Sequence, residues 1–379
     1  MSVRPLGPDD LDTVWRLSQL SFGYKTDAPP AEGTGLYGID GPDGRLVAFA
    51  KVRSYQQVWG GRPVPMGGIA SVVVDPHARG RGLASELMRG LLTVMRTAGQ
   101  PLSALFPTGV GIYRSSGWEV VGSLDDTRID TRDLAPARLG HEVSVRAADR
   151  TDVAAIAETY AGLGTNGLLV REGPEFPAGA AAVLEHDVVS VAESGDGVIG
   201  YASYSRGSGY RQGSELRIWE CLGRTGPATT ALLRSISSWS TVASTSLWRG
   251  PTEGLALHVS GPVPPPVHRQ PWMLRVVDAP AAIGARGFPA GLAADTAFVL
   301  DDPAGPAGAW RLRVESGSGS LERIDPDPSH PVLTARGLAL LYAGAADPVA
   351  LQRAGLLDRP APELGPAFAG HPPQILDYF

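Results

Sequence analysis

The chain has only one cysteine, Cys221, and only two lysines among its 33 basic residues. A single cysteine excludes an intramolecular disulfide framework and any zinc or iron–sulfur site built from several thiolates, and we expect no bound metal. No apolar run approaches the roughly 20 residues of a membrane helix. The first residues also lack the basic start and apolar core of a secretory signal. We therefore expect a cytoplasmic protein with no membrane partner.

Charge is scarce as well. Charged residues make up 19% of the chain and the formal net charge is −6. An acidic chain without a basic surface is not expected to bind nucleic acid. Hydrophobic residues make up 43%, which is typical of a folded globular protein. A length of 379 residues, at about 150 residues per domain, predicts two or three domains.

The first 130 residues have the pattern of one α/β layer. Asp9 is placed to cap a helix that runs through Ser21, and residues 23–44, rich in glycine and proline, are expected to form a long loop. Two extended runs, residues 46–59 and 62–75, meet at a Gly-Gly pair, which predicts a β-hairpin. A helix, a strand, a short helix and another strand follow.

A second unit begins near His141, where a short strand and a capped helix resemble the start of the chain and indicate an internal duplication. Four prolines in residues 261–266 indicate another boundary. We predict an α/β fold with mixed sheets and three domains: a first unit (residues 1–140), a second unit (141–266) and a third unit (267–379).

Residues 72–85 place a strand, a tight loop of arginine and glycine, and the start of a helix in that order. The first amides of a helix have no partner within it and carry the positive end of its dipole. Gly80 and Gly82 allow the backbone to approach a phosphate closely, and Arg79 and Arg81 supply positive charge. The pattern therefore predicts a pyrophosphate site.

Two other interpretations of this loop remain. A dinucleotide-binding fingerprint is disfavoured because Ser85 replaces its third glycine and five residues separate the strand from Gly80. Alternatively, the arginine–glycine turn only caps an amphipathic helix.

The loop resembles the acetyl-CoA loop of the GCN5-related N-acetyltransferases, Arg/Gln-x-x-Gly-x-Gly/Ala, which Arg79, Gly82 and Ala84 match. The resemblance implies that the preceding strand pairs with the pantetheine arm and that one of its N–H groups holds the oxyanion. The implied acetyl-CoA residues are Val72, Val73, Val74, Arg79, Gly80, Arg81, Gly82, Leu83, Ala84, Ser85, Thr108 and Gly109.

The whole chain resembles the enhanced intracellular survival (Eis) family of bacterial acetyltransferases. That resemblance implies two tandem acetyltransferase-like lobes, of which only the first binds acetyl-CoA, and a sterol-carrier-like C-terminal domain. In the second unit Pro227 stands where a phosphate-binding amide would be needed, and proline has no N–H, so we expect one active site per chain. The resemblance also implies a homo-oligomer, a hexamer.

Roles for single residues follow from the same resemblance. Tyr113 would be the general acid and the C-terminal carboxylate of Phe379 the general base. Asp27 and Asp377 would supply negative charge to the substrate pocket. The ordinary alternatives are a buried aromatic side chain for Tyr113 and a frayed tail for Phe379.

The resemblance thus implies an enzyme that moves an acetyl group from acetyl-CoA to a primary amine. The expected acceptor is a polyamine-like small molecule, such as an aminoglycoside, or a lysine side chain. Two alternatives from other classes are a non-catalytic acetyl-CoA sensor and a lipid carrier, the latter because residues 268–370 are suitably apolar.

Overall fold

The computed structural model describes residues 2–23, 34–138, 143–195, 197–370 and 372–379. The first unit contains β1 (Arg4–Pro5), α1 (Leu11–Phe22), β2 (Gly35–Asp40), β3 (Leu46–Trp59), β4 (Arg62–Val74), α2 (Leu83–Thr97), β5 (Leu102–Leu105), α3 (Val110–Arg114) and β6 (Glu119–Asp130). The second contains β7 (Ser144–Ala147), α4 (Val153–Ala161), β8 (Val188–Ser194), β9 (Gly197–Arg206), β10 (Arg211–Gly223), α5 (Gly226–Ser237), β11 (Ala243–Arg249) and α6 (Glu253–Ala256).

The third unit contains β12 (His268–Val276), α7 (Ala279–Ala285), β13 (Ala294–Asp301), β14 (Gly308–Glu315), β15 (Ser318–Arg323), β16 (Val332–Thr334), α8 (Ala335–Ala343), α9 (Pro348–Arg353) and α10 (Leu364–Phe368). Strands pair both parallel and antiparallel, and helices cover the sheets, so the predicted mixed α/β fold is confirmed.

The predicted hairpin is confirmed as β3 and β4. Gly60 and Gly61 connect them with φ angles of 57° and 76°, a left-handed conformation that favours glycine. The prediction that residues 23–44 form a loop was wrong at its C-terminal end, where β2 lies. Leu36 and Ile39 of this strand are buried, and its backbone pairs with β3. Long-range pairing thus outweighs the local glycine content.

One large sheet runs through the first two units, with the described strands in the order β1-β2-β3-β4-β5-β12-β6-β11-β10-β9-β8-β7. Near its centre β12 pairs with β5 on one side and β6 on the other, although it follows the second unit in sequence. A strand that we assigned to the third unit therefore completes the sheet of the first.

An equivalent ion pair at the start of each of the first two units supports the predicted duplication. Arg4 lies 2.8 Å from Asp10, and Arg146 lies 2.8 Å from Asp152, and the partners are six positions apart in both cases. Each aspartate also accepts a hydrogen bond from the backbone N–H three residues before it, at the first helical turn.

The third unit packs a smaller sheet, in the order β15-β14-β13-β16, and α8 against the first unit. The ring of Trp59 lies 5.3 Å from that of Tyr342 and 6.5 Å from that of Trp272. A fully buried ion pair, Arg275 with Asp302 at 2.5 Å, joins β12 to the loop after β13. Among the described residues no helix is both long and apolar enough to span a bilayer.

Candidate active site

The candidate site lies where two parallel strands separate. β4 and β5 pair from Met66 to Ile69, and there the pairing stops, although β4 continues to Val74. Within the described part of the chain, residues 70–74 have a strand partner only on the β3 side. The β5-facing backbone groups of this stretch are therefore available to a ligand with its own amides.

A β-bulge marks the point of separation. The pairing between β3 and β4 shifts register after Ala70, and Ser71 has φ of 50°, which is rare for a residue with a side chain. Beyond the bulge, Val72, Val73 and Val74 form the free end of the strand. Bulges bend the strand that contains them, which agrees with the end of the pairing between β4 and β5 at Ile69. We call the unpaired stretch beside residues 70–74 the gap.

The arginine–glycine loop follows this strand and leads into α2. Gly82 is the residue before the helix, and Gly80 and Gly82 both have φ of 77°. The first amides of α2, those of Leu83, Ala84 and Ser85, point out of a 15-residue helix that has no side-chain cap. The side chains of Arg79 and Arg81 are exposed beside them. The loop presents free N–H groups and positive charge together, which suits a pyrophosphate.

The corresponding loop of the second unit differs in a way that removes this capacity. Pro227 occupies the first turn of α5, and the hydroxyl of Thr225 already accepts a hydrogen bond from the Ala228 N–H. Pro227 thus has no N–H to offer a phosphate, and the N–H of Ala228 already has a partner. That the second unit does not bind the cofactor stays a prediction, which this geometry favours.

Tyr113 packs beside the loop. Its ring is 5% exposed and belongs to the same apolar cluster as Leu83 and Leu87 of α2. Burial raises the pKa of the Tyr113 phenol above its ordinary value, and a hydrogen bond with Thr108 opposes that shift. The phenol is therefore protonated at neutral pH. Gly109 immediately precedes α3, the short helix that carries Tyr113.

Phe379 is buried on the other side of the sheet. Its ring lies 5.0 Å from the ring of Tyr55 and 5.3 Å from that of Phe106, and the residue is 9% exposed. A Cβ atom added to Gly68 of β4 would lie 2.9 Å from this ring. Phe379 thus packs on the part of β4 that pairs with β5, next to the gap.

Tyr113 and Phe379 therefore lie against opposite faces of the sheet. Ile69 and Leu105, the last pair before the gap, belong to the cluster that contains Tyr113, whereas Phe379 covers Gly68. Successive residues of a strand point to opposite faces. A group placed in the gap would have the phenol on one side and the end of the chain on the other.

The face that Phe379 covers also carries charged groups. Lys51, Arg53 and Tyr55 alternate along β3 and share this face. Glu175, whose side chain is fully buried, lies 2.6 Å from Arg53 and accepts a hydrogen bond from Thr34. Burial and the nearby Arg53 lower the pKa of Lys51.

The Asp377 carboxylate is already engaged. Arg171 lies 3.0 Å from it, and the Tyr160 hydroxyl donates to it at 3.0 Å. Asp377 is therefore part of an ion cluster, and it also lines a cavity together with Arg171 and Glu220. Its contact with a substrate stays a prediction. The other predicted pocket residue, Asp27, lies outside the described residues.

The sequence did not identify Tyr55, Phe106, Arg171 or Glu175 as members of this region. Tyr55 sits at an inward position of a predicted strand, which was the only available signal. Arg171 and Glu175 follow α4 in an irregular segment and reach the site from the second unit. No local pattern marks such residues.

Comparison with known proteins agrees with this geometry. Residues 2–121 match the acetyltransferase (GNAT) domain and residues 279–375 match the sterol carrier protein domain. The chain is 28% identical over 331 residues to an uncharacterized N-acetyltransferase of Streptomyces coelicolor. The aligned residues make up 78% of this chain and 75% of that protein.

Solved structures match the chain over its full length. A GCN5-related N-acetyltransferase from Kribbella flavida is 34% identical, with a TM-score of 0.85 over 100% of this chain and 98% of that one. Eis1 from Mycobacterium abscessus is 20% identical, with a TM-score of 0.78 over 100% of both chains, and so has the same fold. This protein is an acetyltransferase with an Eis-like architecture, and it belongs to the GCN5-related N-acetyltransferase family.

Proposed function

We propose that the protein transfers an acetyl group from acetyl-CoA to a primary amine, with Tyr113 as general acid and the Phe379 carboxylate as general base. The observation that carries this proposal is the position of the two residues on opposite faces of the sheet, beside the gap between β4 and β5. An amine adds to the carbonyl carbon of the thioester and gives a tetrahedral intermediate, which collapses with cleavage of the C–S bond. Nitrogen and sulfur are separate substituents of that carbon, so a base can act on the first and an acid on the second from different sides.

The residues around the gap fit acetyl-CoA. The free edge of β4 offers amide groups to the pantetheine arm, and the start of α2 offers them to the pyrophosphate. Acetyl-CoA supplies the activated acetyl group. The proposed binding residues are Val72, Val73, Val74, Arg79, Gly80, Arg81, Gly82, Leu83, Ala84, Ser85, Thr108 and Gly109.

Each proposed catalytic group has a role that its chemistry supports. A terminal carboxylate, with an ordinary pKa of about 3.3–3.7, is ionised at neutral pH and accepts a proton from the incoming ammonium, directly or through water. The Tyr113 phenol donates its proton to the departing thiolate. A backbone N–H of Val72, Val73 or Val74 stabilises the developing oxyanion.

The acceptor is proposed to be a polyamine-like small molecule, such as an aminoglycoside, or a lysine side chain. The buried carboxylates of Glu175 and Asp377 are paired with Arg53 and Arg171, so the negative charge that remains for an ammonium is that of Phe379. Asp27 is retained as a proposed second contact to the acceptor.

Two further properties are proposed with the function. We expect the enzyme to act in the cytoplasm, where acetyl-CoA is available, and to assemble as a homo-oligomer, with six copies as the leading expectation. Light scattering after size-exclusion chromatography measures the assembly; a monomer at micromolar concentration would contradict it.

The function is tested by following CoA release from acetyl-CoA with a thiol reagent, in the presence of spermidine, neamine or a lysine-containing peptide. The protein adds little background because burial raises the pKa of its one thiol, that of Cys221, to about 12. We expect amine-dependent release with at least one acceptor, and a mass increase of one acetyl group on it. Acetyl-CoA binding without release would favour the sensor, and fatty-acid binding without acetyl-CoA binding would favour the carrier.

A further inference from the structure

The last residues of the chain are held by the second unit as well as by the first. The Nε of Arg171 donates to Asp377 at 3.1 Å, and the Tyr160 hydroxyl donates to the same carboxylate at 3.0 Å. Both partners belong to the second unit. Asp377 therefore ties the tail to a unit whose own cofactor loop is degenerate.

Arg171 is itself fixed. It also pairs with Glu220, whose other carboxylate oxygen accepts a hydrogen bond from the Tyr201 hydroxyl at 2.5 Å. The Arg171 guanidinium lies 4.0 Å from the centre of the Tyr160 ring. The side chains of Arg171 and Glu220 are 12% and 7% exposed. A buried network in which each charged group has a partner holds its members rigidly.

The tail is also held before and after Asp377. The Gln374 N–H donates to the carbonyl of Asn166 in the second unit at 2.7 Å, whereas the Phe379 ring packs on Tyr55 and Phe106 of the first. Two residues of extended chain span at most about 7 Å. The anchor at Asp377 is thus close enough to fix the direction in which the Phe379 carboxylate points.

We propose that Asp377 and Arg171 are positioning residues through which the second unit aligns the terminal carboxylate in the active site of the first. The proposal rests on the proposed role of that carboxylate. It gives the second unit a part in catalysis although it binds no cofactor. The ring of Phe379 fixes the side chain, and Asp377 fixes the backbone.

The test variant is Asp377→Asn. It removes the negative charge through which the tail forms an ion pair with Arg171, and leaves at most a weaker neutral hydrogen bond. Arg171 stays paired with Glu220, so no buried charge is left without a partner. The matched control is Asp126→Asn. The Asp126 side chain is 12% exposed, against 17% for Asp377, and it pairs with Arg249 and Arg217 rather than with Arg171.

The first readout is the position of the tail, measured as the rate at which a carboxypeptidase releases Phe379 from the folded protein. We expect Asp377→Asn to accelerate release at least tenfold over both the native chain and Asp126→Asn. This readout requires neither an acceptor nor catalysis. Equal rates in Asp377→Asn and Asp126→Asn would overturn the anchoring role of Asp377.

The second readout is kcat for CoA release with spermidine, in four chains: native, Asp377→Asn, extended by Gly-Ser after Phe379, and carrying both changes. We expect Asp377→Asn to lower kcat about 10- to 100-fold with the KM for acetyl-CoA unchanged. The double variant should be no slower than the extended chain, since both changes act through one carboxylate.

The outcomes separate the two proposals. If the extension lowers kcat and Asp377→Asn does not, the positioning role is wrong and the carboxylate mechanism stands. If the two losses multiply, Asp377 acts by another route, and the positioning role is again wrong. If the extension leaves kcat unchanged, the proposed base is wrong, and the catalytic part of this inference fails with it.

Discussion

The rings of Phe379 and Tyr55 lie 5.0 Å apart and pack against Gly68 of β4, where a side chain would clash with both rings. A Cβ atom at Gly68 would lie 2.7 Å from the Tyr55 ring and 2.9 Å from the Phe379 ring. The absence of a side chain at this one position thus allows the end of the chain to reach the sheet.

We predict that Gly68→Ala displaces both rings and lowers kcat by about tenfold or more, because small shifts of a catalytic group are costly. Acetyl-CoA affinity, measured by calorimetry, should not change. The matched control is Gly67→Ala, whose methyl group meets the flexible Met95 side chain at 2.5 Å on the opposite face. Equal kcat values in the two variants would contradict this interpretation.

Tyr113→Phe removes the proposed general acid and keeps the ring. We expect kcat to fall by about 10²-fold or more, with the free energy of unfolding changed by about 1 kcal/mol at most. Because burial raises the pKa of this phenol above 10, the native enzyme should keep its acid protonated through pH 9. A kcat profile that declines between pH 7 and 9 would argue against Tyr113 as the acid.

Arg79→Ala tests the phosphate site. Losing one charged contact to a phosphate should raise the KM for acetyl-CoA by about tenfold or more and leave kcat nearly unchanged. The KM of the native enzyme for acetyl-CoA should also increase with salt concentration, and the KM of Arg79→Ala should increase less. Arg45→Ala, at an exposed turn, is the control. If both arginine variants have the native KM, the loop does not bind the phosphates through Arg79.

Asp302→Asn tests the buried ion pair between β12 and the loop after β13. Arg275 would be left without its partner, and we expect a loss of about 3–5 kcal/mol in the free energy of unfolding. Asp295→Asn, which breaks a half-exposed pair with Arg311, should cost much less. Urea denaturation of both variants measures the difference; similar losses would mean that Arg275 finds another partner.

The site's local parts could be predicted from the sequence. The β3–β4 hairpin, the amphipathic helix after it and the glycine-rich loop each have their signal within one continuous stretch of sequence. The phosphate site is such a local feature, because a loop and the first turn of a helix supply its donors. The repeated arginine–aspartate pair, Arg4–Asp10 and Arg146–Asp152, is local as well.

The remaining parts depend on contacts between distant residues. The insertion of β12 between β5 and β6 joins residues more than 140 positions apart, and Arg171 meets Asp377 across 206 positions. No periodicity or residue spacing in the sequence predicts the β12 insertion or the contact between Arg171 and Asp377. β2 escaped prediction for a related reason, since its pairing with β3 compensates for the glycines that make it look like a loop.

The central claim, that the carboxylate of Phe379 is the base, is tested most directly by extending the chain with Gly-Ser after Phe379 and measuring kcat and acetyl-CoA affinity. Phe379→Leu, which keeps a terminal carboxylate on an apolar side chain, is the control. We predict that the extension lowers kcat by about 10²-fold or more while acetyl-CoA affinity stays native, and that Phe379→Leu retains most of the activity. A native kcat in the extended chain would contradict the account.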